Sequence, residues 1–114
     1  MQIHFIVKKI LKDKIENFEE TRYSINQKTF ILSEVERRSL IYLLIFTNES
    51  SLSIALFQKY LQVSKNTVLS DLKKLREELM RKNIQIEYSR KKGFYLNFEE
   101  KILQEKAWDY LQNL

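Results

Sequence analysis

The sequence predicts a mainly α fold with one small β-hairpin, an α+β class. Three observations predict it. Apolar residues recur at helical spacing in five segments. Two short runs alternate apolar and polar residues on either side of the only glycine, Gly93, in a chain that has no proline. Serines stand where helix caps are needed, at Ser33, Ser53 and Ser64.

The first helix is expected over residues 3–20, from Ile3, Ile6, Val7, Ile10, Leu11, Ile15 and Phe18. Residues 21–32 are less regular and read as a connection, with TFIL (29–32) extended or in a turn. Ser33 and Glu36 form a capping box, in which each side chain satisfies a backbone donor at the other residue. The helix it starts, about 34–47, is apolar on most sides and is expected to be the central buried element, ended by NESS (48–51). Ser53 caps a short helix over 54–61, with Ile54, Leu56, Phe57, Tyr60 and Leu61 as its apolar side chains. Gln62 and Val63 make a tight break before Ser64, the next cap.

The following helix, about 65–82, buries Val68, Leu72, Leu75 and Leu79 and turns Asn66, Ser70, Lys73, Lys74 and Glu77 the other way. IQIEY (84–88) and FYLNF (94–98) then alternate, with Ile84, Ile86 and Tyr88 on one side of the first and Phe94, Leu96 and Phe98 on one side of the second. The short loop between them makes a hairpin, with Gly93 expected at positive φ. Residues 99–112 read as a last helix with Ile102, Leu103, Ala107, Trp108 and Leu111 along one side.

Composition narrows the function. With 114 residues, 44% hydrophobic and 12% aromatic, one compact domain with an ample core is expected. The absence of cysteine excludes disulfides and thiolate metal sites and suits a reducing cytoplasm. SLIYLLIF (39–46) is too short to span a bilayer, and charges at Lys8, Lys9, Lys12, Asp13 and Lys14 break the start of the chain, so a soluble, cytoplasmic protein without a membrane partner is expected. One histidine (His4, an ordinary helix residue), no cysteine and one glycine offer no nucleophile–base pair and no phosphate-cradling loop. No catalytic residue, cofactor or metal ligand is therefore assigned, and Asp71 reads as a structural partner of a nearby Lys or Arg. The charge is concentrated: residues 59–92 hold ten Lys/Arg against four acids, while the rest of the chain holds ten against eleven. That is an electrostatic footprint for a polyanion.

A short helix, a tight turn, a longer helix and a hairpin form the winged helix-turn-helix plan, here over 33–98, between an N-terminal helix and connection (1–32) and a C-terminal helix (99–114). In that plan the second helix, 65–82, enters the major groove of double-stranded DNA. Asn66 suits a paired contact to adenine, while Lys65, Thr67, Ser70, Lys73 and Lys74 share its helix, and Ser64 with the helix N-terminus offers amides to a phosphate. Lys59, Lys73 and Lys74 would neutralise phosphates. Arg90, Lys91 and Lys92, in the basic wing 89–93, would meet the backbone or minor groove. Glu77 would repel phosphate and end the surface. Tyr88 and Tyr95, on alternating strands, read as packing residues. A different reading is a protein–protein interaction or dimerisation module without direct DNA binding, with Trp108, Leu111 and Leu114 as an exposed apolar patch. A homodimer on paired half-sites is compatible with both.

LFQKYLQVSKNTVLSDLKKLREEL (56–79), with GFYLNFEE (93–100) downstream, resembles the Mga-type helix-turn-helix domain of bacterial transcriptional regulators. The resemblance spans about residues 32–100, and its L-x-V-S-x-x-T-V-x-x-D-L-x-x-L core falls on positions 61, 63, 64, 67, 68, 71, 72 and 75. It implies a regulator of the Mga or BglG/MtlR-like kind, many of which carry phosphotransferase-regulated (PRD) domains. Residues 99–114 would then begin the connection to a regulatory domain, and phosphotransferase proteins would act only through domains not present in these 114 residues. The sequence departs from the family pattern at Phe98, where a small residue is usual. Without the regulatory domains and their histidines, a fragment or a minimal relative is expected.

Overall fold

The computed structural model describes residues 2–24, 32–47 and 51–114. Their elements run α1 (Gln2–Ser24), α2 (Glu34–Thr47), α3 (Ile54–Leu61), α4 (Lys65–Met80), β1 (Gln85–Ser89), β2 (Gly93–Asn97) and α5 (Glu100–Leu111). Together they make a mostly helical winged helix-turn-helix. The bounds of α2 and α3 coincide with those read from the sequence. α1 continues through residues 21–24, expected as connection, and α4 stops two residues sooner than expected. The expectations for residues 29–31 of TFIL and 48–50 of NESS lie outside the described residues.

α2 is the centre, as its composition requires. Its capping box is closed both ways: the Ser33 N–H donates to Glu36 Oε1 at 2.8 Å and the Glu36 N–H to Ser33 Oγ at 3.1 Å. Beyond that cap, Leu40 through Leu43, Ile45 and Phe46 are buried, and α2 packs against α1, α4, α5 and β2. A helix apolar on most sides can be satisfied only where neighbours surround it. The α4 stripe Val68, Leu72, Leu75 and Leu79 is 0–2% exposed, and Phe57, Leu61, Ile84, Ile86 and Phe94 are buried in the same core. Just past α4 the chain turns at Asn83 in the left-handed region (φ 62), with the Asn83 N–H bonded to Met80 O and the Ile84 N–H to Leu79 O. This paired closure satisfies the last carbonyls and buries Ile84 at once.

The hairpin is antiparallel, with Ser89 opposite Gly93 and Gln85 opposite Asn97. Gly93 has φ 73, so the expected positive φ is present. A short third edge was not legible in the sequence: Leu52 pairs with Gly93 in a parallel bridge, and Leu52 O accepts the Phe94 N–H at 3.1 Å.

Four apolar assignments change. In α1, Val7 and Leu11 are buried but Ile6 is exposed, because α2 covers only one side of that helix. In the hairpin, Tyr88 is 56% exposed with its ring edge-on to Phe94, and Phe98 is exposed where the chain has already left the strand. In α5 the inward side is Leu103, Ala107 and Tyr110, with Trp108 turned to solvent. Tyr110 takes the inward place because its hydroxyl finds an acceptor there, donating to Glu78 Oε1 at 3.0 Å. Leu111 and Leu114 are half-buried against the core, so the expected apolar patch is reduced to Trp108.

α5 is held on α2 by polar contacts as well. Tyr42 Oη donates to Leu103 O at 2.7 Å, and Asn113 Nδ2 donates to Ser39 Oγ at 3.0 Å. His4 is more than an ordinary helix residue: its ring stacks on Phe46 at 4.2 Å and Nε2 bonds the Glu100 carboxylate, joining α1 to α2 and α5.

Burial pushes both the Tyr42 and Tyr110 phenols well above the ordinary tyrosine range. In the unfolded chain these phenols ionise near pH 10, so the unfolded state gains from each pH unit above that and the folded state does not. Stability from this source is complete below about pH 10 and is lost above it, by up to about 1.4 kcal/mol per pH unit for each phenol. Tyr42→Phe is expected to make the fall in the urea midpoint between pH 10 and 11.5 shallower. An equally steep fall in that variant would contradict the assignment.

Candidate nucleic-acid interface

The turn between α3 and α4 is made without glycine. Gln62 takes the left-handed conformation (φ 57), its N–H bonds Gln58 O at 2.8 Å, and its side-chain Nε2 donates to Lys59 O at 2.7 Å. The side-chain bond offsets part of the cost of a left-handed non-glycine residue, roughly 1–2 kcal/mol. Ser64 then caps α4, with Oγ accepting the Thr67 N–H at 3.2 Å and bonding the Thr67 hydroxyl at 3.1 Å. Ser64 and Thr67 are thus engaged with each other. The first helical bond of α4 runs from the Val68 N–H to Ser64 O, so the amides of Lys65 and Asn66 stand ahead of it at the positive end of the helix dipole.

At about 100° per residue, Asn66, Ser70, Lys73 and Glu77 fall on the side of α4 opposite the buried stripe, and Leu69 stands beside them about a quarter turn from the stripe, on the flank of Lys65. These four and Leu69 are all exposed. Lys65 is exposed on one flank. Lys74 lies on the other and is turned aside: its ammonium bonds the Glu34 carboxylate of α2, which holds that carboxyl below the ordinary glutamate range. Both partners of this pair are about half exposed, so it adds little stability.

The tertiary structure removes two of the four acids from the basic stretch. Asp71 is 1% exposed and receives two bonds from Arg37 of α2, Nε to Oδ2 at 2.6 Å and Nη2 to Oδ1 at 3.2 Å. Arg37 Nη1 also donates to Leu32 O at 3.0 Å. Bonded to Asp71, the Arg37 guanidinium is held above its ordinary range. Glu78 likewise accepts from Arg38 Nε at 2.9 Å and from Tyr110. Asp71 therefore has the structural role its sequence context suggests, with a partner from another helix. Glu77 is left as the one acid on the outward side of α4.

Arg90, Lys91 and Lys92 are exposed in the three-residue loop between Ser89 and Gly93. The loop is pinned from both sides: Ser89 Oγ accepts the Lys92 N–H at 3.0 Å, and Ser51 Oγ donates to Lys91 O at 3.1 Å. The Lys92 ammonium lies 5.0 Å from the Tyr95 ring centre. The predicted residues thus fall into two groups, one on α4 and one on the wing tip, with Lys74 apart from both. Leu69 was missed: among the outward residues it is the apolar one, visible in the sequence only as a leucine outside the 68–72–75–79 stripe.

Among the described residues no cluster of His, Cys, Asp and Glu could hold a metal ion, and no helix is long and apolar enough to cross a membrane. A short helix, a tight turn, an outward-facing polar helix and a basic hairpin define a winged helix-turn-helix protein, a class that binds DNA. Residues 37–95, more than half of the chain, match the family model described as HTH domain, and the chain belongs to that helix-turn-helix family. Searches of curated proteins and of solved structures return no match.

Proposed function

We propose that this domain is the DNA-binding part of a bacterial transcriptional regulator, working in the cytoplasm with α4 in the major groove and the wing against the backbone or minor groove. The observation that carries the reading is the outward side of α4, where Asn66, Ser70 and Lys73 are exposed beside Lys65 while Asp71 and Glu78 are occupied inside the fold. Asn66 would make the paired adenine contact, and Ser70 would meet a base edge or a phosphate. The free amides of Lys65 and Asn66 would hold a backbone phosphate, with Ser64 and Thr67 keeping that helix end in place. Lys65, Lys73, Arg90, Lys91 and Lys92 supply five exposed cations. The 61–75 core favours a regulator of the Mga or BglG/MtlR-like type, with any phosphotransferase input arriving through other domains beyond α5.

The test is binding to a duplex selected from random DNA, measured across salt concentrations. With five phosphates neutralised, log affinity should fall with log salt at a slope of about −4.5. Lys73→Ala should bring the slope about one closer to zero on any sequence. Lys74→Ala should change it less, because its ammonium is already paired with Glu34. Asn66→Ala should cost roughly 1–3 kcal/mol on the selected duplex and little on unrelated DNA. Affinity indifferent to both Lys73→Ala and Asn66→Ala would overturn the reading.

A further inference from the structure

We infer that Leu69 is a specificity-determining residue that reads a thymine by packing its side chain against the 5-methyl group in the major groove. The inference rests on the DNA-binding reading above and adds a base contact of a different chemistry. Leu69 is 44% exposed in the middle of α4, whereas the neighbouring helical leucines 72, 75 and 79 are 0–2% exposed. It lies three residues after Asn66 and four before Lys73, next to both at the edge of the outward side, and is not among the residues packed against the core. The core therefore does not account for it.

Its surroundings say what it would meet. Lys65 and Lys73 lie one turn to either side, so a polyanion drawn to those lysines would bring Leu69 against whatever lies between its phosphates. Between the phosphate rows of a major groove the one apolar group on a base edge is the thymine methyl. Asn66 would read an adenine by hydrogen bonds, and Leu69 would read an adjacent base pair by shape and water exclusion. A leucine accepts no hydrogen bond, so it would leave the cytosine amino group without a partner at the same place, and discrimination would come from both effects.

The experiment uses the whole chain and the duplex recovered from random DNA by the wild-type protein, with each thymine replaced in turn by deoxyuridine, which lacks only the methyl group. At one or two thymines the wild-type protein should lose about fourfold in affinity, the equivalent of one buried methyl group at about 0.8 kcal/mol. Leu69→Ala should bind the thymine duplex several-fold more weakly and lose less than about 1.5-fold on the same uracil replacements. Because Leu69 is half exposed and alanine favours helices, the variant should unfold at an unchanged urea midpoint. Deoxyuridine without effect at every position, or an equal effect on both proteins, would overturn the role of Leu69 while leaving DNA binding in place. Selection that enriches no sequence, or wild-type protein that binds no duplex at low salt, would overturn the DNA-binding reading together with it.

Discussion

Substituting Arg37 by leucine is expected to lower the unfolding free energy by about 3–5 kcal/mol, the cost of leaving a buried carboxylate without its cation. The side chain of Asp71 is 1% exposed, and both its oxygens are bonded to Arg37. Remove the guanidinium and Asp71 has neither water nor a replacement donor, while Leu32 O also loses a bond. The loss would fall on the contact between α2 and α4 and so on the seating of the outward helix. A double variant, Arg37→Leu with Asp71→Leu, should recover most of the stability, since removing both charges removes the penalty. Urea unfolding of the two singles and the double closes the cycle. A double variant no more stable than Arg37→Leu alone would show that packing, not the unpaired charge, set the cost.

Gly93→Ala carries the second large effect, roughly 3 kcal/mol. Positive φ contributes about 1–2 kcal/mol of it, since a side chain in the left-handed region meets its own backbone. Close approach adds the rest. A Cβ on Gly93 would stand 2.5 Å from both N and O of Leu52, backbone atoms that cannot swing away. The hairpin would have to lift off Leu52 and weaken the 3.1 Å bond from the Phe94 N–H. Valine at the same place should cost more, because its branched side chain fits the left-handed region still less well. Urea midpoints are the measure for both. A loss under about 1 kcal/mol for alanine would show that strand β2 can move without disturbing the core.

Gly93 also shows where sequence reading stops. That the turn needs a glycine was legible, because the residue stands between two alternating runs. That Leu52, forty-one positions earlier, packs against that same glycine was not. The α3–α4 turn is the opposite case. Its place was legible from the cap at Ser64, yet its conformation falls on Gln62, a residue type that gives no sign of φ 57. Tyr110 and Trp108 exchanged their expected sides because both suit a half-buried helix face, and what favours Tyr110 inside, the acceptor on Glu78 and the Tyr42 ring, comes from other helices.

The positions of the quoted L-x-V-S-x-x-T-V-x-x-D-L-x-x-L core can now be assigned physically. Leu61, Val68, Leu72 and Leu75 are buried, Val63 is half-buried against them, Ser64 and Thr67 form the cap, and Asp71 anchors α4 to Arg37. Every named position in that motif serves the fold. The outward residues Asn66, Leu69, Ser70 and Lys73 occupy the open positions between them.

By itself the sequence determined the elements, their caps and the buried stripe of α4, because periodicity and capping act within a few residues along the chain. It also determined that a basic excess lies across α4 and the wing. Only the tertiary structure decided which of those charges face outward: Arg37 and Arg38 of α2 take up Asp71 and Glu78, and Glu34 takes up Lys74. Partners thirty-four to forty residues apart in the chain are chosen by helix packing, and no local pattern records that choice.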